Sequence, residues 1–536
     1  MQNNSIKILF LLLITAELFG QNFTRKDSLQ GGFSFERMCF DVQHYDLDIS
    51  VDPEKKYVQG SNTISFKIRQ ESSKIQLDLF ENMNADSIVF ENKKLNFKRD
   101  FGAVFIDFPT ALNVTDNILK LQFFYSGNPL RAKNAPWDGG FVFSKDVNNK
   151  PWICVAVQGT GSSLWFPVKD SQSDEPDLGV SIKVAVPNGL MNVSNGRFNG
   201  SVELKNGYTR WDWEVQNPIN NYNITLNIGD YVLVNDKYND LNLEYYVLRG
   251  NEEKARKHFG DVKPMMACFE KKFGNYPFTN DDYKLVESNY LGMEHQSAVA
   301  YGNKFRKGYL GSDNSGTGIG LLFDFIIIHE SAHEWFGNSI TSRDIADMWI
   351  HEAFTTYAES VFVECQFGKQ KAIEYINGQK KLVQNYKPII GEYGVNNEGS
   401  SDMYYKGTVL LNTLRSAVDD DEKWWSIIKK FAETYRHKII DTKEVVAFFS
   451  KEMSWNAAPF FEQYLQRTSI PLLETKIMGN KLSYRWKTEV SNFELPIFFT
   501  VNSKKIKINP TEEWQTIEIN SKHKLHFPED LFYVQF

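Results

Sequence analysis

The first large part of the chain alternates apolar and polar residues with the period of two that is typical of β-strands. Tyr45, Leu47, Ile49 and Val51 share one face of such a strand, with polar residues between them. Further alternating runs lie at residues 61–68, 74–80, 103–107, 118–125, 181–186, 209–215 and 223–235. Turns rich in Asn, Asp and Gly separate these runs. The pattern predicts one large antiparallel β-domain over residues 37–235.

The apolar period changes to that of α-helices near residue 250. Residues 252–271 predict a helix, residues 283–301 predict strands interrupted by a glycine, and residues 307–320 predict a flexible loop rich in Gly and Ser. Helical periods then fill the segments 321–337, 345–367, 369–385, 405–418, 422–437 and 443–467. These segments together predict a mainly helical domain over residues 236–467.

Alternation returns after Pro471, in KLSYRWKTEV and LPIFFTVNSKKIKI. Residues 468–536 are enough for a small β-sandwich-like domain. The predicted fold class is therefore multidomain α+β, in which an N-terminal β-domain and a small C-terminal β-domain flank a mainly helical domain.

The N-terminus has the pattern of a secretory signal peptide. Lys7 precedes the apolar run ILFLLLITAELFG, which is too short to span a membrane. We therefore predict a signal peptide over residues 1–20, a polar and disordered segment over residues 21–36, and an exported protein that is periplasmic or extracellular. No later stretch is long and apolar enough for a transmembrane helix, so no membrane span is expected in the mature chain.

Composition and cysteine content narrow the possible partners. The 60 basic and 67 acidic residues give a formal net charge of −7, without a basic block, which argues against nucleic acid as a partner. No long amphipathic seam is evident, so a monomer is expected. Four cysteines would allow two disulfides in an oxidising compartment. Because none lies near another in sequence, four buried free thiols are the favoured interpretation for Cys39, Cys154, Cys268 and Cys365.

Residues 329–359 carry the strongest chemical signal in the chain. His329 and His333 are four apart, so on an α-helix both imidazoles lie on one face and can share one Zn²⁺. Glu330 points about 100° round the helix, where it could act on a water as a general base. Glu352, on a following helical stretch, is the candidate third ligand. Three isoleucines precede the pair, and buried His and Glu side chains are costly unless paired or metal-bound, so a zinc site is favoured over a chance match.

Several short motifs accompany this histidine pair. The segment HESAHEW is followed by Glu352 in WIHEAF, and Met293–Glu294 lie in GMEH. Tyr404 is the first residue of YYKG, and Gln158 lies nine residues before the proline of FPVKD.

In these motifs the chain resembles the gluzincin aminopeptidases of the aminopeptidase N and leukotriene hydrolase type. That family carries GxMEN, YxKG and, before its FPCFDEP stretch, an acidic or amide residue. The resemblance covers the chain from about Phe40 to Pro471. It implies that the helical domain, residues 236–467, is a thermolysin-like catalytic domain holding one Zn²⁺ per chain.

The resemblance also implies a role for each matching residue. Glu294 would bind the α-amino group of the substrate, with Gln158 as a second partner, which fixes the scissile bond over the metal. Gly292 and Met293 would lie along the substrate backbone as an edge strand. Tyr404 would donate a hydrogen bond to the oxyanion of the transition state.

Two further carboxylates flank the third ligand. Asp347 precedes Glu352 by five residues, where the family usually has Asp, and Glu359 lies two helical turns beyond Glu352. Each could orient a ligating histidine, or each could be an ordinary surface carboxylate. Lys406, in YYKG, is expected to serve the structure.

The chain departs from the family in three places. The family's GAMEN is LGMEH here, from Leu291 to His295, which leaves the preferred substrate side chain open. The family's WLNEG is WIHEA, so that His351 stands beside Glu352 and is expected to point away from the metal. Only a short β-domain follows Pro471, where many relatives have a large helical domain, so we expect a more open cleft.

The predicted function is a zinc-dependent aminopeptidase that acts on peptides with a free N-terminus. A thermolysin-like zinc endopeptidase would share the zinc-ligand spacing, but Glu294 distinguishes the two because it would select a charged N-terminus. A non-catalytic peptide-binding protein is a further alternative, against which every catalytic position is intact. The resemblance allows an additional epoxide hydrolase activity, which no residue demands.

Overall fold

The computed structural model describes residues 23–519 and 525–536, and the predicted signal peptide at residues 1–20 lies outside them. The described chain is organised around two hydrophobic cores. One core belongs to the N-terminal β-sheets, and the other is shared by the helices and the C-terminal sheets. The fold is therefore multidomain α+β, as predicted.

Two short helices, α1 (Arg25–Gly31) and α2 (Phe35–Met38), begin the described chain. Thr24 and Asp27 form a capping box at the start of α1. The buried Arg37 guanidinium donates hydrogen bonds to three backbone carbonyls at residues 29–32 and to Asp78. The prediction that residues 21–36 are disordered is therefore wrong from α1 onward, because an ion pair with a distant strand orders this segment.

Three sheets build the N-terminal region. Their strands are β1 (Phe40–Asp52), β2 (Tyr57–Ile68), β3 (Ser72–Asp78), β4 (Met83–Phe90), β5 (Lys93–Lys94), β6 (Asn96–Asp100), β7 (Ala103–Leu112), β8 (Leu119–Gly127), β9 (Gly140–Lys145), β10 (Pro151–Ala156), β11 (Val180–Pro187), β12 (Met191–Ser194), β13 (Arg197–Glu203), β14 (Tyr208–Val215) and β15 (Leu226–Gly229). The strand orders are β13-β14-β11-β1-β2-β8-β4-β5, β12-β15-β10-β9 and β3-β7-β6.

One strand pair in these sheets contradicts the sequence prediction. β1 and β11 run parallel, with Tyr45 opposite Val180, so the domain is not purely antiparallel. The period of side-chain alternation is the same in parallel and antiparallel strands. Apolar alternation therefore identified the strands without their directions.

A five-stranded sheet connects the two regions. Its strands are β16 (Tyr231–Tyr238), β17 (Leu241–Leu248), β18 (Tyr283–Glu287), β19 (Gly292–Met293) and β20 (Val299–Tyr301), in the order β16-β17-β18-β20-β19. Strands β16 and β17 form an antiparallel hairpin, and β17 pairs in parallel with β18. The boundary predicted between residues 235 and 236 therefore falls inside β16.

The helical region begins between strands β17 and β18 of this sheet and continues after its last strand in sequence, β20. Its helices are α3 (Glu252–His258), α4 (Val262–Phe273), α5 (Phe325–Ala332), α6 (Trp349–Phe367), α7 (Lys369–Lys380), α8 (Asp402–Val418), α9 (Asp421–Thr434), α10 (Thr442–Met453) and α11 (Ala458–Gln466). The short strands β21 (Ile340–Ser342) and β22 (Lys438–Ile440) pair in parallel. Helix α6 lies at the centre, buried from Trp349 to Val363 and packed against α4, α5, α7 and α8.

A disulfide joins Cys268 on α4 to Cys365 on α6, whereas Cys39 and Cys154 are buried free thiols. The prediction of four free thiols is therefore wrong for the first pair. These two cysteines are 97 residues apart in sequence, and only the packing of α4 against α6 brings them together.

Two three-stranded sheets form the C-terminal region. Their strands are β23 (Leu472–Met478), β24 (Lys481–Lys487), β25 (Ile497–Val501), β26 (Lys504–Ile508), β27 (Gln515–Glu518) and β28 (Leu525–His526), in the orders β23-β24-β27 and β26-β25-β28. Across the described residues, no helix combines the length and the apolar character needed to cross a membrane.

Candidate metal centre and active site

Helix α5 carries the first two candidate ligands into the core. Asp324 caps its N-terminus by accepting a hydrogen bond from the backbone N–H of Ile327. His329 lies in the last turn, and His333 directly follows the helix. The backbone then leaves helical geometry at Phe336 and Gly337, and the φ of Gly337 is 124°. A Cβ on that residue would lie 2.9 Å from His333 Nδ1, so a glycine is required both by its conformation and by the packing of the imidazole.

The three candidate ligands converge on one point. The Nε2 atoms of His329 and His333 lie 3.6 and 3.5 Å from Glu352 Oε2. Two ligands of a tetrahedral zinc ion with bonds of about 2.0–2.1 Å lie about 3.3 Å apart, so the spacing fits such an ion. Glu352 Oε2 is buried and has no hydrogen-bond partner in the described part of the chain. A buried carboxylate oxygen left without a donor is the place for a cation.

The second ring nitrogen of each histidine is bound to an acceptor. His329 Nδ1–H donates to Glu359 Oε1 at 2.7 Å, and His333 Nδ1–H donates to the Phe336 carbonyl at 3.0 Å. Because these acceptors hold the Nδ1 protons, the lone pair of each Nε2 is available on the side of Glu352. Burial alone would raise the pKa of Glu352, but the two histidines outweigh burial and hold it below its ordinary value.

The two carboxylates considered for orienting a histidine behave differently. Glu359 contacts His329 as expected, and its other oxygen accepts from Tyr375 and Gln379. Asp347 is also buried, but it accepts from the Tyr393 hydroxyl at 2.8 Å and from Thr442. Both roles considered for Asp347, orienting a ligand and lying on the surface, are therefore wrong.

Glu330 lies beside β19, the terminal strand of its sheet. A Cβ on Gly292 would lie 2.8 Å from Glu330 Oε1, so the absence of a side chain there makes room for the carboxylate. Burial raises the pKa of Glu330 above its ordinary value, and Glu294 acts in the same direction, whereas His329 acts against it. A carboxylate beside the candidate metal ligands could take a proton from a water and return it. Within the described chain, Gly292 and Met293 pair with β20 alone, so no described strand occupies the other edge of this short strand.

Glu294 follows that edge strand and is buried. Its Oε1 accepts hydrogen bonds from Gln158 Nε2 at 2.6 Å and from the Tyr222 hydroxyl at 3.1 Å. Its carboxylate also lies within 4.8 Å of ligand atoms of Glu330 and His333. Gln158 and Glu294, 136 residues apart, therefore meet beside the metal-binding candidates. Tyr222 was not predicted from the sequence, since nothing in its local pattern marks a functional residue.

Tyr404 lies in the first turn of α8, and its ring lies 6.2 Å from that of His329 and nearly parallel to it. It lines the same cleft as the three candidate ligands. Lys406 is buried, and its ammonium donates to the Arg467 carbonyl at 2.8 Å. The structural role predicted for Lys406 is confirmed.

The two histidines at the family departures are both buried. His295 has no hydrogen-bond partner among the described residues, and burial lowers its pKa to about 3. It is therefore a packed residue, not a surface one. His351 accepts a hydrogen bond at Nε2 from the Ser342 backbone N–H, and it points away from the candidate ligands, as expected.

The cleft between the N-terminal and helical regions has a volume of about 470 Å³. Four carboxylates, those of Glu294, Glu330, Glu352 and Glu398, line it together with one lysine, Lys387, and the two imidazoles of His329 and His333. Walls with this charge balance attract a positively charged group. Glu398 lies on a loop before α8 and was not identified from the sequence.

Two family models match this chain. Residues 258–464 match the Peptidase family M1 domain, and residues 41–222 match the Peptidase M1 N-terminal domain. The chain belongs to peptidase family M1.

Individual relatives are distant. Aminopeptidase B of Rattus norvegicus is 24% identical over 317 residues, which cover 56% of this chain and 46% of the relative. Leucine aminopeptidase 2 of Vanderwaltozyma polyspora is 23% identical over 487 residues, which cover 84% of this chain and 70% of the relative. The chain thus spans about half the length of the first of these curated relatives.

Solved structures share the fold. An M1 zinc metallopeptidase from Deinococcus radiodurans matches with a TM-score of 0.68 at 19% identity, covering 80% of this chain and 95% of that one. At 19% identity, this match shows that the two proteins share a fold.

Proposed function

We propose that this protein is a zinc-dependent aminopeptidase that removes N-terminal residues from peptides. The observation that carries the proposal is the place of Glu294, a buried carboxylate within 4.8 Å of Glu330 and His333. A substrate whose α-ammonium group is bound there has its first peptide carbonyl about one residue away, beside the candidate metal ligands. Membership of family M1 supports the same function.

His329, His333 and Glu352 would hold the zinc ion, and the orphaned oxygen of Glu352 supports this assignment. Bound zinc supplies a Lewis acid that polarises a carbonyl and lowers the pKa of water. Glu330 would take a proton from the attacking water and return it to the leaving nitrogen. Tyr404 would donate a hydrogen bond to the carbonyl oxygen as that oxygen gains negative charge.

The remaining residues would position the substrate. Glu294 would bind the α-ammonium group through a charge-assisted hydrogen bond, with Gln158 holding the carboxylate in place. The free edge of β19, Gly292 and Met293, would pair with the substrate backbone. An endopeptidase would instead place an uncharged peptide group against the Glu294 carboxylate, which is unfavourable because a desolvated charge needs a partner.

We further propose that the protein works outside the cytoplasm, as a monomer with one zinc ion. The apolar run before residue 21 and the Cys268–Cys365 disulfide support an oxidising compartment. N-terminal sequencing of the purified protein, light scattering and metal analysis test these three points.

Hydrolysis of aminoacyl-coumarins, measured beside their N-acetylated forms, tests the activity. We expect turnover of the free-amine substrates alone and its loss when a chelator removes the metal. Internal cleavage of N-acetylated peptides would favour the endopeptidase alternative. Zinc binding without any turnover would favour a peptide-binding protein.

A further inference from the structure

A chain of hydrogen bonds leads from the backbone of β21 to the Glu294 carboxylate. The Ser342 backbone N–H lies 2.8 Å from His351 Nε2. A backbone N–H can only donate, so His351 Nε2 must offer its lone pair. The ring therefore carries its proton on Nδ1. Among its two neutral tautomers, only this one satisfies the contact.

The direction of the next two hydrogen bonds follows from that tautomer. His351 Nδ1 lies 3.4 Å from the Tyr222 hydroxyl oxygen, so Nδ1–H donates and the hydroxyl accepts. The hydroxyl proton of Tyr222 is then directed to Glu294 Oε1, 3.1 Å away. Each group in this series of hydrogen bonds thus has one possible orientation, which the backbone amide of Ser342 fixes at the end remote from Glu294.

The same oxygen of Glu294 receives a second donor. Gln158 Nε2 lies 2.6 Å from Oε1, whereas no donor of the described chain has a hydrogen bond to Oε2. Two donors on one oxygen fix the rotation of the carboxylate and leave the other oxygen for a ligand. This asymmetry suits the binding of one ammonium group.

We propose that His351 and Tyr222 are positioning residues that orient Glu294 toward the substrate's α-ammonium group. The inference rests on the proposed aminopeptidase function. It assigns a purpose to His351, which stands where the family's WLNEG carries Asn.

Packing holds both side chains in this arrangement. Tyr222 and His351 are 5% and 0% exposed, and their rings stack at a centroid distance of 6.5 Å and an angle of 24°. A Cβ on Gly337 would lie 3.4 Å from His351 Cγ, so the backbone closes directly over the imidazole. Tyr222 belongs to the N-terminal region and His351 to α6, so the chain of hydrogen bonds crosses between the two regions.

The first test is Tyr222→Phe in the zinc-loaded enzyme, which removes one hydroxyl. Tyr464→Phe is the matched control, because that buried hydroxyl donates to the Tyr533 carbonyl, away from the cleft. We expect Tyr222→Phe to raise KM for aminoacyl-coumarins about tenfold, as for loss of a hydrogen bond to a charged group, while kcat changes much less. The control should leave both constants unchanged. Equal KM in Tyr222→Phe and the wild type would overturn the proposal.

The second test separates the role of His351 from a general effect on the adjacent ligand. His351→Gln keeps one acceptor and one donor, whereas His351→Leu keeps neither. With zinc content shown to be equal, we expect His351→Leu to raise KM like Tyr222→Phe and His351→Gln to recover most of the loss. If both variants instead lower kcat alone, His351 acts through Glu352 and the proposal is wrong.

A binding measurement gives a readout that needs no turnover. In a Glu330→Gln background, calorimetry compares the Kd of alanyl-alanine with that of its N-acetyl form. We expect Tyr222→Phe to weaken the free dipeptide about tenfold and to leave the N-acetyl form unaffected. A wild-type enzyme that hydrolyses no free-amine substrate contradicts the proposed function. An active wild type whose Tyr222→Phe variant behaves identically contradicts this inference alone.

Discussion

The two halves of the cleft are built in different ways. The metal half consists of His329, His333, Glu352 and Glu359, which lie within residues 329–359, at the end of α5 and on α6. The amine half consists of Gln158, Tyr222, Glu294 and His351, which come from separate segments of the N-terminal region, the connecting sheet and the helical region.

The two halves of the cleft therefore depend on different contacts in the fold. The metal half needs two helices in contact, and helical spacing alone sets the separation of its histidines. The amine half exists only when the N-terminal sheets pack against the helical region. We therefore expect substitutions in the metal half to change metal content or kcat, and substitutions in the amine half to change KM.

The largest effect is expected for Glu330→Gln, which keeps the shape of the side chain and removes the base. General acid–base groups contribute about 10²- to 10⁴-fold, so kcat should fall by that factor while zinc content, measured by atomic emission, stays equal. A metal-replete variant that retains activity would show that the proton moves through another group.

Glu294→Gln should have the next largest effect and should act on KM. Losing a charge-assisted hydrogen bond of about 1.5–3 kcal/mol raises KM for free-amine substrates about 10- to 100-fold, with a smaller change in kcat. The discrimination against N-acetylated peptides should fall with it, as measured by the ratio of kcat/KM values. If kcat falls and KM does not, the division between the two halves is wrong.

Glu359→Gln should lower the affinity for zinc without removing a metal ligand. Loss of a carboxylate bound to a ligating histidine costs about tenfold in metal affinity, the lower end of the usual range, because Gln keeps an acceptor for His329 Nδ1–H. Competition with a chelator of known affinity measures this change. Asp347→Asn is the matched control, since Asp347 contacts Tyr393 and Thr442 instead, and it should leave zinc affinity unchanged.

The smallest effect on activity is expected for a substitution of Glu175, which should instead change the stability of the fold. Burial raises the pKa of Glu175 to about 7, with Asp174 adding to the shift, and its Oε1 has no partner among the described residues. A carboxyl group whose pKa is raised on folding destabilises the folded state once the pH exceeds its unfolded pKa near 4.5. That loss grows up to about pH 7 and is then complete.

Glu175→Gln should therefore become more stable relative to the wild type as the pH rises from 4.5 to 8, by on the order of 3 kcal/mol. Urea unfolding at the two pH values measures the change in the free energy of unfolding. An equal difference at both pH values would mean that Glu175 titrates normally in the folded protein.

Individual elements show how much of the fold could be predicted from the sequence. Periodicity identified the helical region, but a turn at Phe259–Asp261 divides the helix expected over residues 252–271. The β1–β11 pair, the order of α1 and the Cys268–Cys365 disulfide were all missed. Each of them depends on a contact between residues far apart in the chain.

The sequence by itself determined the helical placement of His329, His333 and Glu330, because the spacing of a helix is a local property. It also determined the family, through motifs of a few residues each. The tertiary structure alone decided that Glu359 contacts a histidine and Asp347 does not, and that the Tyr222 hydroxyl contacts both Glu294 and His351. These contacts arise from the packing of two hydrophobic cores, and burial in that packing is what selects one partner and one orientation for each polar group.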